Sequence, residues 1–226
     1  MPPIGGVAHG AMVLVDSLFQ KMSYDDLMAA LKPKVLGAIN LDTLFSENTL
    51  DFFILFSSIT ALIGNAGQSN YIGANSFMES LGLQRRRKGL AASVIAISSL
   101  IGLGYFERAE DLDIDQFSRS GYRNVSEQDI HTLFAEAIVR GRPGTTESHE
   151  VVSGVVPTYA DGDIRASYLK DSKFSHLILE RTSAKQDGTS STHIPVRIQL
   201  LTATAEEEVC AIMQCKTHIS LSLEEQ

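Results

Sequence analysis

The stretch "LDFFILFSS" (residues 50–58), followed closely by "GQSNYIGANSF" (67–77), decides how this chain folds. Residues 50–58 form a nearly unbroken apolar, aromatic-rich run that ends in two serines. A run of this kind suits a parallel strand covered on both faces, because neither side of it meets water. Downstream, Ala74, Phe77, Met78 and Leu81 fall at i, i+3, i+4 and i+7, one face of a helix. That helix runs into Arg85-Arg86-Arg87-Lys88, cations that complement the C-terminal end of a helix dipole, with Gly89 as its cap.

The flanking segments extend the same alternation. "GGVAHGAMV" (5–13) reads as a short buried strand entered through two glycines. "SYDDLMAALKPKVLGAINLDTLF" (23–45) carries a helical pattern broken near Pro33, with Leu36, Ile39 and Leu44 among its apolar positions. "AASVIAISS" (91–99) is the next strand, and the acidic, irregular residues 100–125 read as a lid. Ser126 and Asp129 are spaced as a capping box. They open a helix with Ile130, Leu133, Phe134, Ala137 and Ile138 on one side, and "HEVVSGVV" (149–156) closes as a strand. Strands alternating with helices define a doubly wound α/β sheet of Rossmann-like type. "TSAKQDGTSSTH" (182–193) is polar and without periodicity, a linker, and residues 194–226 begin a further helical segment.

Composition excludes several classes. The net charge of −8 falls entirely in residues 106–226, and no basic face of the kind nucleic acid requires is present. No apolar run approaches the ~20 residues of a membrane span, and the opening residues lack the basic flank of a signal peptide. Cys210 and Cys215 are the only cysteines. They make no disulfide framework, and a cytoplasmic location fits. With only His218 nearby they make no metal site either.

The chemistry sits at residues 34–75. Ser58 ends the central strand, at the edge where open α/β sheets bind ligands. Tyr71 follows 13 positions later at the start of the next helix, with Asn75 one turn further on the same face. A phenol with an ordinary pKa of ~10 acts as a general acid near neutrality only with help from a cation. Lys34, 24 positions before Ser58, is the candidate. Packing and helix capping would account for the same residue types.

"KPKVLGAINL", "FFILFSSITALIGNAGQSNYIGANSFMESL" and "GGVAHGAMVLVD" resemble the catalytic half of polyketide synthase ketoreductase domains, members of the short-chain dehydrogenase/reductase superfamily. "GYRNVSEQDIHTLFAEAIVRGRP" and "ASYLKDSKFSHLILER" are similar to the fungal highly reducing synthases and the polyketide–peptide hybrids. The likeness covers roughly residues 3–182, with the lysine ahead of the serine and the asparagine after the tyrosine, the order of ketoreductases.

The resemblance implies NADPH-dependent reduction of a β-ketoacyl chain held by phosphopantetheine on an acyl carrier domain, within a larger synthase whose other domains are the partners. Tyr71 would donate the proton, and Ser58 would hold the keto oxygen. Lys34 would lower the Tyr71 pKa and bind the nicotinamide ribose, and Asn75 would hold a water relay. Ala8, His9 and Gly10 would border the cofactor, as would the backbone of Ser99, Leu100 and Ile101. For His9, packing at the strand end is the competing role. Leu14-Val15-Asp16 keeps only the second aspartate of a bacterial stereochemical triplet, and hydroxyl configuration stays open.

The resemblance also implies what the chain lacks. No Gly-rich dinucleotide turn occurs, and the chain begins where the family's fourth strand would. The expected organisation is a partial ketoreductase domain at 1–181, a linker at 182–193 and the start of a truncated carrier segment at 194–226. The competing reading is a catalytically inactive synthase fragment or interaction remnant.

Overall fold

The structure, a computed structural model, describes residues 2–47, 50–100, 122–159 and 167–179. Gly6–His9 forms β1, and Tyr24–Leu31 forms α1. Ser23 caps α1 by a reciprocal box with Asp26. Helical winding then continues through a π turn, Lys32–Leu36, into α2, Gly37–Leu44. The expected break at Pro33 does not occur. Proline removes an N–H and its ring crowds the carbonyl four residues back, and a wider turn accommodates both. Beyond the π turn the inward face is Ala38, Leu41 and Phe45. Leu36, Ile39 and Leu44, expected among the apolar positions, are exposed instead.

Phe52–Ser58 is β2, buried along most of its length as its composition demands. A short α3, Thr60–Ile63, leads to the 19-residue α4, Ser69–Arg87. Gly89, at φ +75°, ends α4, with Gly89 N–H reaching the Arg86 carbonyl and Leu90 N–H reaching Arg85. This pairing satisfies carbonyls a helix end leaves open. Ser93–Ile97 is β3. Glu127–Arg140 is α5, entered through the expected Ser126–Asp129 capping box, and Glu150–Val152 is β4.

The four strands pair in parallel in the order β1-β2-β3-β4. Strand alternation sends Phe53, Leu55 and Val94 to one face, against Ala38 of α2 and Met78 and Leu81 of α4. Ile54, Ile95 and Val151 face the other way, onto Leu133, Phe134, Ala137 and Ile138 of α5. Helices therefore cover both faces, a Rossmann-like doubly wound arrangement. Close approach of α4 to the sheet needs a small residue at Gly82, where a Cβ would lie 2.8 Å from a Val94 methyl.

A second small sheet pairs β5, Thr158–Tyr159, with β6, Ile178–Leu179. Tyr168 and Phe174 form a separate buried cluster with Leu62, Ile63, Tyr122 and Val155. Most of the expected lid, the linker at 182–193 and the segment 194–226 lie outside the described residues.

The basic cluster at the end of α4 does more than complement a dipole. Arg85 is buried, ion-paired to Asp42 at 2.5 Å and stacked over the Phe53 ring at 3.9 Å. Arg86 donates to the carbonyls of Arg140, Arg142 and Thr145, tying α4 to the end of α5. Planar guanidinium groups suit such multidentate contacts.

Candidate active site

The adjacent serines at the end of β2 point to opposite faces and do different work. Ser57 faces α4 and donates to Glu79 Oε1 at 2.8 Å. Its hydroxyl is thereby engaged in the core. Ser58 accepts from the Thr60 backbone N–H at 3.2 Å and from the Thr60 hydroxyl at 2.9 Å. With its acceptor side filled twice, the Ser58 proton is left to donate. Thr60, a residue sequence reading passes over, thus orients the serine.

Tyr71 stands in the first turn of α4 and is 6 % exposed. Neighbouring residues fix this helix start. Asn70 accepts from the Tyr71 backbone N–H and donates to the carbonyls of Val15 and Asp26. Gln68 donates to both carboxylate oxygens of Asp16. The Tyr71 hydroxyl itself donates to Met12 Sδ at 3.3 Å.

Lys34 lies in the π turn, 2 % exposed, with Nζ donating to the Phe56 carbonyl at 2.8 Å. The ammonium lies over the Tyr71 ring, 5.1 Å from its centre. Burial lowers its pKa from 10.5 to about 8. For Tyr71, burial pushes the phenol upward, Asn75 and Ser58 pull it down, and Asp16 pushes it up again, for a net rise. Lowering of the Tyr71 pKa by Lys34 was expected. In this geometry desolvation outweighs everything else, and the lysine addresses the ring face.

Asn75 is fully buried one turn after Tyr71, and neither its amide nitrogen nor its oxygen completes a hydrogen bond within the protein. An unpaired buried amide costs roughly 1–3 kcal/mol. It marks a place where a water or ligand partner belongs.

His9, expected to border the cofactor, is buried and its Nε2 lies 3.1 Å from the Lys34 carbonyl. Its ring fills the space beside Gly37, where a Cβ would come within 2.8 Å. His9 therefore braces the turn that carries Lys34. Ala8 and Gly10 are exposed at the end of β1. Ser99 accepts from the Val125 N–H, and Leu100 forms an isolated bridge with Val125. Ile101 lies outside the described residues.

The residues present fit a nicotinamide cofactor at this edge of the sheet. Lys34 Nζ uses one proton on Phe56 and keeps donors for hydroxyl groups, and the orphaned Asn75 amide lies one turn from Tyr71. Among the described residues, no group of three or more His, Cys, Asp or Glu could hold a metal ion. Nor is any described helix long and apolar enough to cross a membrane.

A parallel sheet with helices on both faces and a Lys-Ser-Tyr-Asn set at its carboxyl edge defines a Rossmann-like α/β fold. Comparison with known proteins narrows it. Residues 1–102 match the family profile described as KR domain. The hybrid PKS-NRPS synthetase mpsA of Macrophomina phaseolina is 69% identical over 214 residues, covering 95% of this chain and 5% of that protein. The equisetin synthetase eqxS of Fusarium heterosporum is 51% identical over 213 residues, 94% of this chain and 5% of the relative. A solved structure of A-type ketoreductases from a modular polyketide synthase superposes with a TM-score of 0.60 at 26% identity, over 68% of this chain and 31% of that one. Residues 1–102 belong to the ketoreductase domain family, and the chain, similar along most of its length to fungal hybrid PKS-NRPS synthetases, spans about a twentieth of the length of these relatives.

Proposed function

We propose that this segment reduces the ketone of a β-ketoacyl thioester to the β-hydroxyacyl thioester, acting within a larger synthase on a chain carried by the phosphopantetheine of an acyl carrier domain. The observation that carries the reading is the buried Tyr71, with Lys34 over its ring and Ser58 and Asn75 beside it. NADPH, bound along the carboxyl edge of the sheet, would supply the hydride.

Ser58, its acceptor side filled by Thr60, donates to the keto oxygen and holds it against Tyr71. As negative charge builds on that oxygen, the Tyr71 O–H gives up its proton to it. A phenol raised by burial stays protonated through neutral pH and yields its proton reluctantly. The Lys34 ammonium over the ring offsets this by favouring the phenolate as it forms. Asn75 anchors the water that returns a proton to Tyr71. Lys34 also donates to the ribose hydroxyls with the protons Phe56 does not take. Since Lys34 titrates at about 8, reduction should decline above that pH as its charge is lost.

Among the described residues, the outer edge of β1 pairs with no strand. An open edge of this kind favours completion by further strands of a synthase, and residues 194–226 fit as the approach to its carrier domain. The reading is tested with NADPH deuterated at the transferred position and a β-ketoacyl pantetheine thioester, using an intact synthase containing this segment. Deuterium at the β carbon of a hydroxy product is expected, and a product formed without it would overturn the proposal.

A further inference from the structure

We infer that Met12 is a substrate-contacting residue that selects which acyl chains reach Tyr71, an inference that rests on the reductase reading above. Tyr71 directs its hydroxyl proton at Met12 Sδ, 3.3 Å away. The thioether therefore stands where the reacting proton leaves and where a keto oxygen must come. Thioether sulfur is a weak acceptor, so an incoming ketone displaces it readily.

The surroundings allow the side chain to move while its backbone stays in place. On one side, His9 is held to the Lys34 carbonyl. On the other, Val15 accepts from Asn70, Asp16 accepts from Gln68, and Ser17 donates to the Gly67 carbonyl. Between these anchors Met12 is 39 % exposed, on the open side of the site rather than in the core. Its three rotatable bonds let it swing aside without backbone rearrangement. Before substrate arrives it shields Tyr71, which is only 6 % exposed. Once displaced, it lies along the carbons next to the ketone. An unbranched, polarizable side chain packs there against straight and α-branched acyl chains alike.

The test uses an intact synthase containing this segment, with straight and α-methyl-branched β-ketoacyl pantetheine thioesters. Met12→Leu keeps similar volume but is stiffer. It should leave straight-chain turnover within about threefold and lower kcat/KM for the branched substrate roughly tenfold. Met12→Ala should raise KM for both substrates several-fold with a smaller change in kcat. A readout without turnover uses the Tyr71→Phe variant and hydrogen peroxide. Bound β-ketoacyl thioester should slow sulfoxide formation at Met12 relative to Met22, measured by peptide mass spectrometry. Unchanged discrimination in Met12→Leu together with equal Met12 oxidation with and without substrate would overturn the inference. If Tyr71→Phe also turned over normally, the reductase reading itself would fall, a separable result.

Discussion

Replacing Lys34 with methionine should stabilise the domain while abolishing the proposed reduction. Lys34 is 2 % exposed, and among the described residues its ammonium pairs with no carboxylate. Its contacts are the Phe56 carbonyl at 2.8 Å and the face of the Tyr71 ring. Burial lowers its pKa from 10.5 to about 8, so the native state binds this proton less tightly than the unfolded chain does. The difference between those two values corresponds to about 3 kcal/mol of destabilisation. It acts in full below pH 8, fades as pH rises from 8 towards 10.5, and vanishes above. Methionine removes that cost and forfeits the hydrogen bond to Phe56, about 1 kcal/mol. The variant should therefore be more stable by about 2 kcal/mol at pH 6.5, with the gain falling to about zero by pH 10. Urea denaturation of wild type and variant at both pH values measures this directly. A variant less stable at pH 6.5, or a difference that does not change with pH, would refute the reasoning.

Three further substitutions separate function from stability. Asn75→Leu should lose the proposed reduction while leaving the denaturation midpoint unchanged or higher, because the buried amide it removes completes no hydrogen bond and bears only on the Tyr71 hydroxyl; a large loss of stability would assign Asn75 to the scaffold. Asp42→Ala should destabilise by about 3 kcal/mol by leaving the buried Arg85 without its counter-charge, measured by thermal or urea unfolding, with an unchanged midpoint contradicting the account. Gly82→Ala should cost about 1–3 kcal/mol despite the better helix propensity of alanine, because its methyl meets Val94; a stabilised variant would show that α4 and β3 separate easily.

The central strand and α4 were legible because their signals are local. A short unbroken apolar run rich in aromatic residues suits a doubly covered strand, and Ala74, Met78 and Leu81 repeat with the helical period. The same locality makes Ser58, Tyr71 and Asn75 readable, since strand end, turn and helix start fix their separation. Lys34 is different. Proline at position 33 suggests a break, and nothing in a linear pattern shows that a π turn carries the winding through and buries the lysine. The exposed Leu36, Ile39 and Leu44 follow from that same turn. Arg85 looked like one of four dipole-complementing cations until Asp42, 43 positions away, came within 2.5 Å. Met12 and Thr60 act on Tyr71 and Ser58 only through the fold, and no periodicity marks either. The two sequence neighbours Ser57 and Ser58 could be told apart only by the faces they occupy.

The most direct measurement is the turnover of Tyr71→Phe in an intact synthase containing this segment, followed as NADPH oxidation with a β-ketoacyl pantetheine thioester. Substitution removes one oxygen, whose hydroxyl donates to the movable Met12 beside Ser58 and Asn75, and keeps the ring, so folding, judged by circular dichroism and the urea midpoint, should be preserved. Loss of the proton donor should reduce turnover by about 100-fold or more. Near-normal turnover by a correctly folded variant would contradict the assignment of this site.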